Sequence, residues 1–85
     1  MSTTATLIRG PWYVEAVGGF VERCLWETTD GKFILTSSVN QSWGFETKAF
    51  HADEHGNPAG MSEIGEAGFN DHVGALRAAG YAPDK

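Results

Sequence analysis

The dipeptide Asp30-Gly31 separates two runs rich in aromatic, aliphatic and β-branched residues, Phe20–Thr29 and Lys32–Val39. Both central residues of a type I′ turn need φ > 0, a conformation that Asp and Gly tolerate. The chain is therefore expected to double back here as a β-hairpin. Read as a two-residue loop, the turn sets Thr28 opposite Phe33, Trp26 opposite Leu35 and Cys24 opposite Ser37. Glu27–Ile34 and Arg23–Ser38 then fall on the other face. That register makes Cys24, Trp26, Phe33 and Leu35 the core side and leaves Leu25 and Ile34 among polar groups.

The same signals extend along the chain. Trp12–Val17 reads as a strand, followed by a turn at Gly18-Gly19. Ala5–Ile8 reads as a shorter strand, separated from it by Gly10-Pro11, because proline removes a ladder donor. Met1–Thr4 reads as a frayed tail. Asn40-Gln41-Ser42 marks a turn, Trp43–Ala52 a fourth strand, Asp53–Pro58 a polar turn and Met61–Ile64 a short fifth strand. Near the end, Asn70 or Asp71 caps a helix. Val73, Leu76 and Ala79 or Gly80 form its apolar stripe, Gly80 its C′ residue and Pro83 its stop. A helix this short persists only by packing on something else. The expected fold is α+β: an antiparallel β-meander of four to five strands with one C-terminal α-helix on one face. Residues 1–85 are expected to form a single domain, because this length leaves no room for a second.

Charge and cysteine content narrow the function classes. A net charge of −5, with six basic residues scattered along the chain, argues against wrapping nucleic acid, which needs a basic patch. One cysteine excludes an intrachain disulfide, unlike the usual small secreted domain. The first residues lack the pattern of a signal peptide, and no apolar run is long enough to cross a bilayer. A cytoplasmic protein that engages neither nucleic acid nor membrane is the expectation.

His51, Asp53 and His55 form the most site-like cluster. On an extended strand all three would point to one side and could converge on a transition metal, with His72 as a further ligand. The commoner origin of such a cluster is the polar turn into which it runs, so no metal or other cofactor is expected. Cys24 could be a nucleophile, but its apolar neighbours favour a buried, inert thiol. No serine stands in a G-x-S-x-G elbow, and neither glycine pair sits in a phosphate loop. So small a meander also leaves little room for a closed pocket of about 300 Å³ or more. No catalytic residue is expected.

Aromatic residues make up 12% of the chain, more than one short helix can cover. Trp12, Tyr13 and Trp43 are the expected interface anchors, and a meander's open edge offers a second route to association. The segment Phe45-Glu-Thr-Lys-Ala-Phe-His-Ala-Asp-Glu-His-Gly-Asn, then Ser62-Glu-Ile-Gly-Glu and Asp71-His-Val-Gly-Ala-Leu, resembles small accessory proteins of actinobacterial phages, notably mycobacteriophages. Such relatives often carry a Trp in the strand where this chain has Met61 or Ile64. The resemblance covers about the C-terminal half. It implies phage origin and a host-cytosol setting, and no catalytic residue. The expected function is a non-catalytic protein-interaction module acting on a host or phage protein, or on a second copy of itself. The alternatives are a metal- or small-molecule-binding module centred on His51, Asp53 and His55, or a self-assembling structural protein.

Overall fold

A computed structural model describes residues 3–16, 19–41, 44–68 and 70–84. Among them are six strands and one helix: β1 (Thr3–Ala16), β2 (Gly19–Thr28), β3 (Phe33–Gln41), β4 (Gly44–Ala52), β5 (Pro58–Ala67), α1 (His72–Ala78) and β6 (Tyr81–Asp84). They form one sheet in the order β5-β4-β3-β2-β1-β6.

The fold is thus mostly β, with a mixed sheet, and the expectation of a simple antiparallel meander is overturned. The first five strands run antiparallel in sequence order, as expected. The chain then crosses the sheet through α1 from one edge to the other, and β6 pairs parallel with the first residues of β1. That pairing recruits Thr3 and Thr4, expected to be frayed, opposite Tyr81 and Ala82. Pro83 does not stop the chain. It lies in the edge strand β6, where a missing N–H is tolerated.

Gly10-Pro11 does not divide β1 into two strands. Bulges between Leu7 and Trp12 absorb the irregularity and ladder pairing with β2 resumes. Gly10 has φ +107°, and a Cβ there would lie 2.7 Å from the Arg23 carbonyl oxygen, so only glycine lets the two backbones approach. β5 extends well beyond Met61–Ile64, and β3 runs through Asn40 and Gln41, where a turn was expected. The Gly18-Gly19 turn and Ser42 fall partly outside the described residues.

The Asp30-Gly31 hairpin forms, but its register differs by one residue. Trp26 faces Ile34, Leu25 faces Leu35 and Cys24 faces Thr36. The loop has three residues, Thr29 to Gly31. The Gly31 N–H donates to the Thr28 carbonyl at 3.1 Å, and the Thr28 N–H to the Lys32 carbonyl at 2.8 Å. Gly31 takes the left-handed position at φ +84°, the arrangement of a type I turn closed by a glycine bulge. One extra loop residue exchanges the partners, so Ile34 joins Trp26 and Cys24 on the helix side. Leu35 and Phe33 join Leu25 on the other.

On the helix side the core consists of Ala5, Cys24, Trp26, Ile34, Ala49, Ala75 and Leu76. Leu76 is buried as expected, but Val73 is exposed and Ala75 takes its place against the sheet. Small residues allow the close approach: a Cβ on Gly65 would lie 2.4 Å from the Ala75 carbonyl oxygen. Sheet hydroxyls fasten the segment leading into the helix. Ser38 Oγ accepts from the Asn70 N–H at 2.9 Å; Thr47 Oγ1 accepts from the Asp71 N–H at 3.1 Å and donates to the Gly68 carbonyl at 2.8 Å. Asp71 caps α1 by accepting from the Gly74 N–H at 2.8 Å. Gly80 follows the C-cap with φ +98°. No helix among the described residues is long and apolar enough to cross a membrane.

Candidate functional site

Register determines which side chains meet on the sheet face away from the helix. Arg23 on β2 lies opposite Ser37 on β3, and Ser37 opposite Lys48 on β4, so the three form a row across the sheet. The neighbouring row is Leu25, Leu35 and Phe50. The Asp53–Asn57 turn closes over this face at one end. Gly56 lies against Trp12 and Leu25, and the Arg9 guanidinium donates to the His55 carbonyl at 3.2 Å while stacking 4.4 Å from the Trp12 ring centroid.

Beside this closure is a hollow of about 330 Å³, lined by Val21, Arg23, Leu35, Ser37, Lys48, Phe50, Pro58 and Gly60. Four strands contribute to it, and it is an open depression of the sheet face and not a closed pocket. Most of its walls are apolar, and its two cations differ. The Lys48 ammonium lies 3.4 Å from Glu46 and 3.7 Å from Glu63, and these carboxylates hold it above the usual lysine range, Glu46 the more strongly. Arg23 forms no ion pair among the described residues, and its Nε is buried without a hydrogen-bond partner.

A second polar constellation sits under the helix. His72 Nδ1 is 2.8 Å from Thr36 Oγ1, and His72 Nε2 is 2.9 Å from Glu22 Oε1. The Tyr13 hydroxyl donates to Glu22 Oε2 at 2.8 Å, and the Trp26 Nε1–H donates to Thr36 Oγ1 at 2.9 Å. The hydrogen bond to Glu22 raises the Tyr13 phenol above its ordinary range. The order carboxylate–imidazole–hydroxyl has the form of a nucleophilic relay. Thr36, however, is fully buried, so nothing outside the core can reach its oxygen. These contacts pin the helix to β2 and β3.

The residues singled out from sequence are dispersed. His51 is opposite Ile34 and exposed. The Asp53 carboxylate accepts from the N–H groups of Asn57 and His55, at 3.0 and 2.9 Å, and these bonds lower its pKa, Asn57 contributing most. His55 projects into solvent beside Glu54, 3.8 Å away. His72 belongs to the helix side of the sheet, whereas the turn closes over the other. Among the described residues no group of three or more His, Cys, Asp or Glu side chains could hold a metal ion. Cys24 is buried, and desolvation, reinforced by Glu22, pushes its thiol up to about 11. Trp12 is half-buried, Tyr13 is 65% exposed, and Trp43 lies outside the described residues.

Arg23, Ser37 and Lys48 were not singled out from sequence. A hairpin read with a three-residue loop would have paired Arg23 with Ser37, and that is the one signal of the row. The chain matches no protein-family model, no curated protein and no solved structure.

Proposed function

We propose that the protein is a non-catalytic interaction module that receives a segment of another protein on the sheet face away from the helix. The observation that carries this reading is the hollow lined by four strands, apolar over most of its surface and holding one guanidinium that pairs with no carboxylate among the described residues. Proteins dock through apolar depressions with a few placed polar groups. Burial of Thr36 favours binding over catalysis, because the relay-like constellation on the helix side ends on a hydroxyl sealed in the core. The likeness to actinobacterial phage proteins favours a host or phage protein in the bacterial cytosol as partner.

The test is affinity capture from a mycobacterial lysate, with wild type and an Arg23→Glu variant side by side and the bound proteins identified by mass spectrometry. A protein retained by wild type and lost from Arg23→Glu, but kept by a Val73→Ala control on the helix side, is the expected result. Identical capture by wild type and Arg23→Glu would exclude this face as the docking surface.

A further inference from the structure

The chemistry of the hollow narrows what a partner must bring to it, given the docking role proposed above. Arg23 is half-buried among Val21, Leu35 and Phe50, and no carboxylate pairs with it among the described residues. Its Nε–H has lost water and gained no acceptor. A buried N–H without an acceptor is costly, and no described residue offsets its lost hydration. Nε itself is shut off from solvent, so an external anion pairs with the charge through the terminal Nη groups, whose planar fork suits a carboxylate bound through two oxygens. The Lys48 end of the row differs, because Glu46 and Glu63 already neutralise the ammonium and would repel a second anion. The site is therefore asymmetric, with an anion subsite at Arg23 and apolar walls at Leu35, Phe50 and Pro58.

We infer that the hollow binds an acidic–apolar peptide segment of the partner protein, its carboxylate on Arg23 and one large apolar side chain against Leu35, Phe50 and Pro58. The volume, about 330 Å³, is at the small end of the range for whole small-molecule ligands. It suits one side chain and its neighbouring carboxylate. The rim at Pro58 and Gly60 belongs to β5, an edge strand of the sheet, so the rest of the chain can leave over an open border.

The experiment is an NMR titration of the isotope-labelled full chain with three synthetic peptides of equal length, carrying Phe-Asp, Phe-Asn or Phe-Lys at the centre. Octanoate serves as a free acid of similar character. The Phe-Asp peptide should shift the amides of Val21, Arg23, Leu35 and Lys48, and the Phe-Asn peptide should bind about tenfold more weakly. Arg23→Gln should erase the preference for Asp over Asn while keeping the wild-type spectrum elsewhere, and Arg23→Lys should restore part of it. Equal or tighter binding of the Phe-Asn or Phe-Lys peptide overturns the acidic chemistry and leaves the docking role standing. An Asp preference that survives in Arg23→Gln overturns the inference by taking the carboxylate away from Arg23, and it too leaves the docking role standing. Octanoate shifting these amides when no peptide does overturns both, because the hollow is then a site for a small acid. Silence from all four probes overturns this inference, and the lysate experiment judges the docking role separately.

Discussion

At the residue scale, His72 carries more than its position on a seven-residue helix suggests. One ring nitrogen is tied to Thr36 on β3 and the other to Glu22 on β2, and the His72 and Glu22 side chains are only 10% and 18% exposed. Removing the imidazole leaves Glu22 with Tyr13 as its remaining side-chain partner and removes one partner of Thr36 in the core. His72→Ala should destabilise the fold by about 1–3 kcal/mol, the cost of removing two hydrogen bonds from largely buried polar groups. Urea denaturation measures this, and a loss below about 0.5 kcal/mol would mean that water replaces the imidazole at no cost. Cys24 gives a second prediction, in pH. Its folded-state pKa is raised from 9.0 to about 11, so the neutral thiol is favoured in the folded protein. The associated stabilisation is fully present below pH 9 and is lost as pH rises through 11. Between those values wild-type stability should fall more steeply than that of Cys24→Ala. Parallel curves would show that Cys24 titrates alike in both states.

At the scale of elements, the two ends of the chain illustrate what sequence patterns convey. The hairpin, the Asp71 cap, the buried Leu76 and the Gly80 terminus were all legible, because each depends on a few adjacent residues. The register was not, since Asp30-Gly31 serves a two-residue loop and a three-residue loop equally well. The loop geometry depends on Thr28, whose Oγ1 accepts from the Lys32 N–H at 2.9 Å. The row Arg23, Ser37, Lys48 was illegible for the same reason: it exists only in the observed register. The parallel β6 was hidden because four residues, Tyr81–Asp84, carry almost no periodic signal. They become a strand only when the crossover delivers them to β1. Gly65 tests how closely the crossover helix must approach. A Cβ there would lie 2.4 Å from the Ala75 carbonyl oxygen and 2.7 Å from the Ala79 nitrogen, both backbone atoms that cannot rotate away. Gly65→Ala should therefore cost about 1–3 kcal/mol, as overpacking generally does. Gly60→Ala, on the same strand with nothing within 4 Å, is the control. Equal stability of the two variants would mean that the helix shifts freely on the sheet.

At the scale of the whole molecule, the crossover leaves one long border of the sheet half covered. β6 pairs with Thr3–Thr6 of β1, and beyond Thr6 the outer side of β1 has no strand partner among the described residues. Backbone donors and acceptors on such a border are a template for another strand. Near its far end, Tyr13 on β1 and Phe20 on the neighbouring β2 are 65% and 61% exposed, opposite Glu22 and Glu15 in the β1–β2 ladder. An antiparallel pairing of two β1 borders is self-complementary, so a twofold dimer needs no second type of surface. Light scattering should therefore give a mass that rises with concentration towards twice that of the monomer. A variant with Tyr13→Lys and Phe20→Lys should stay monomeric, because charge on the edge opposes strand addition. Trp26, only 6% exposed, should resist acrylamide in both forms, so a loss of Trp26 shielding in the variant would mark unfolding and not dissociation. A wild-type chain that remains monomeric at every concentration would show that the β1 border does not self-pair.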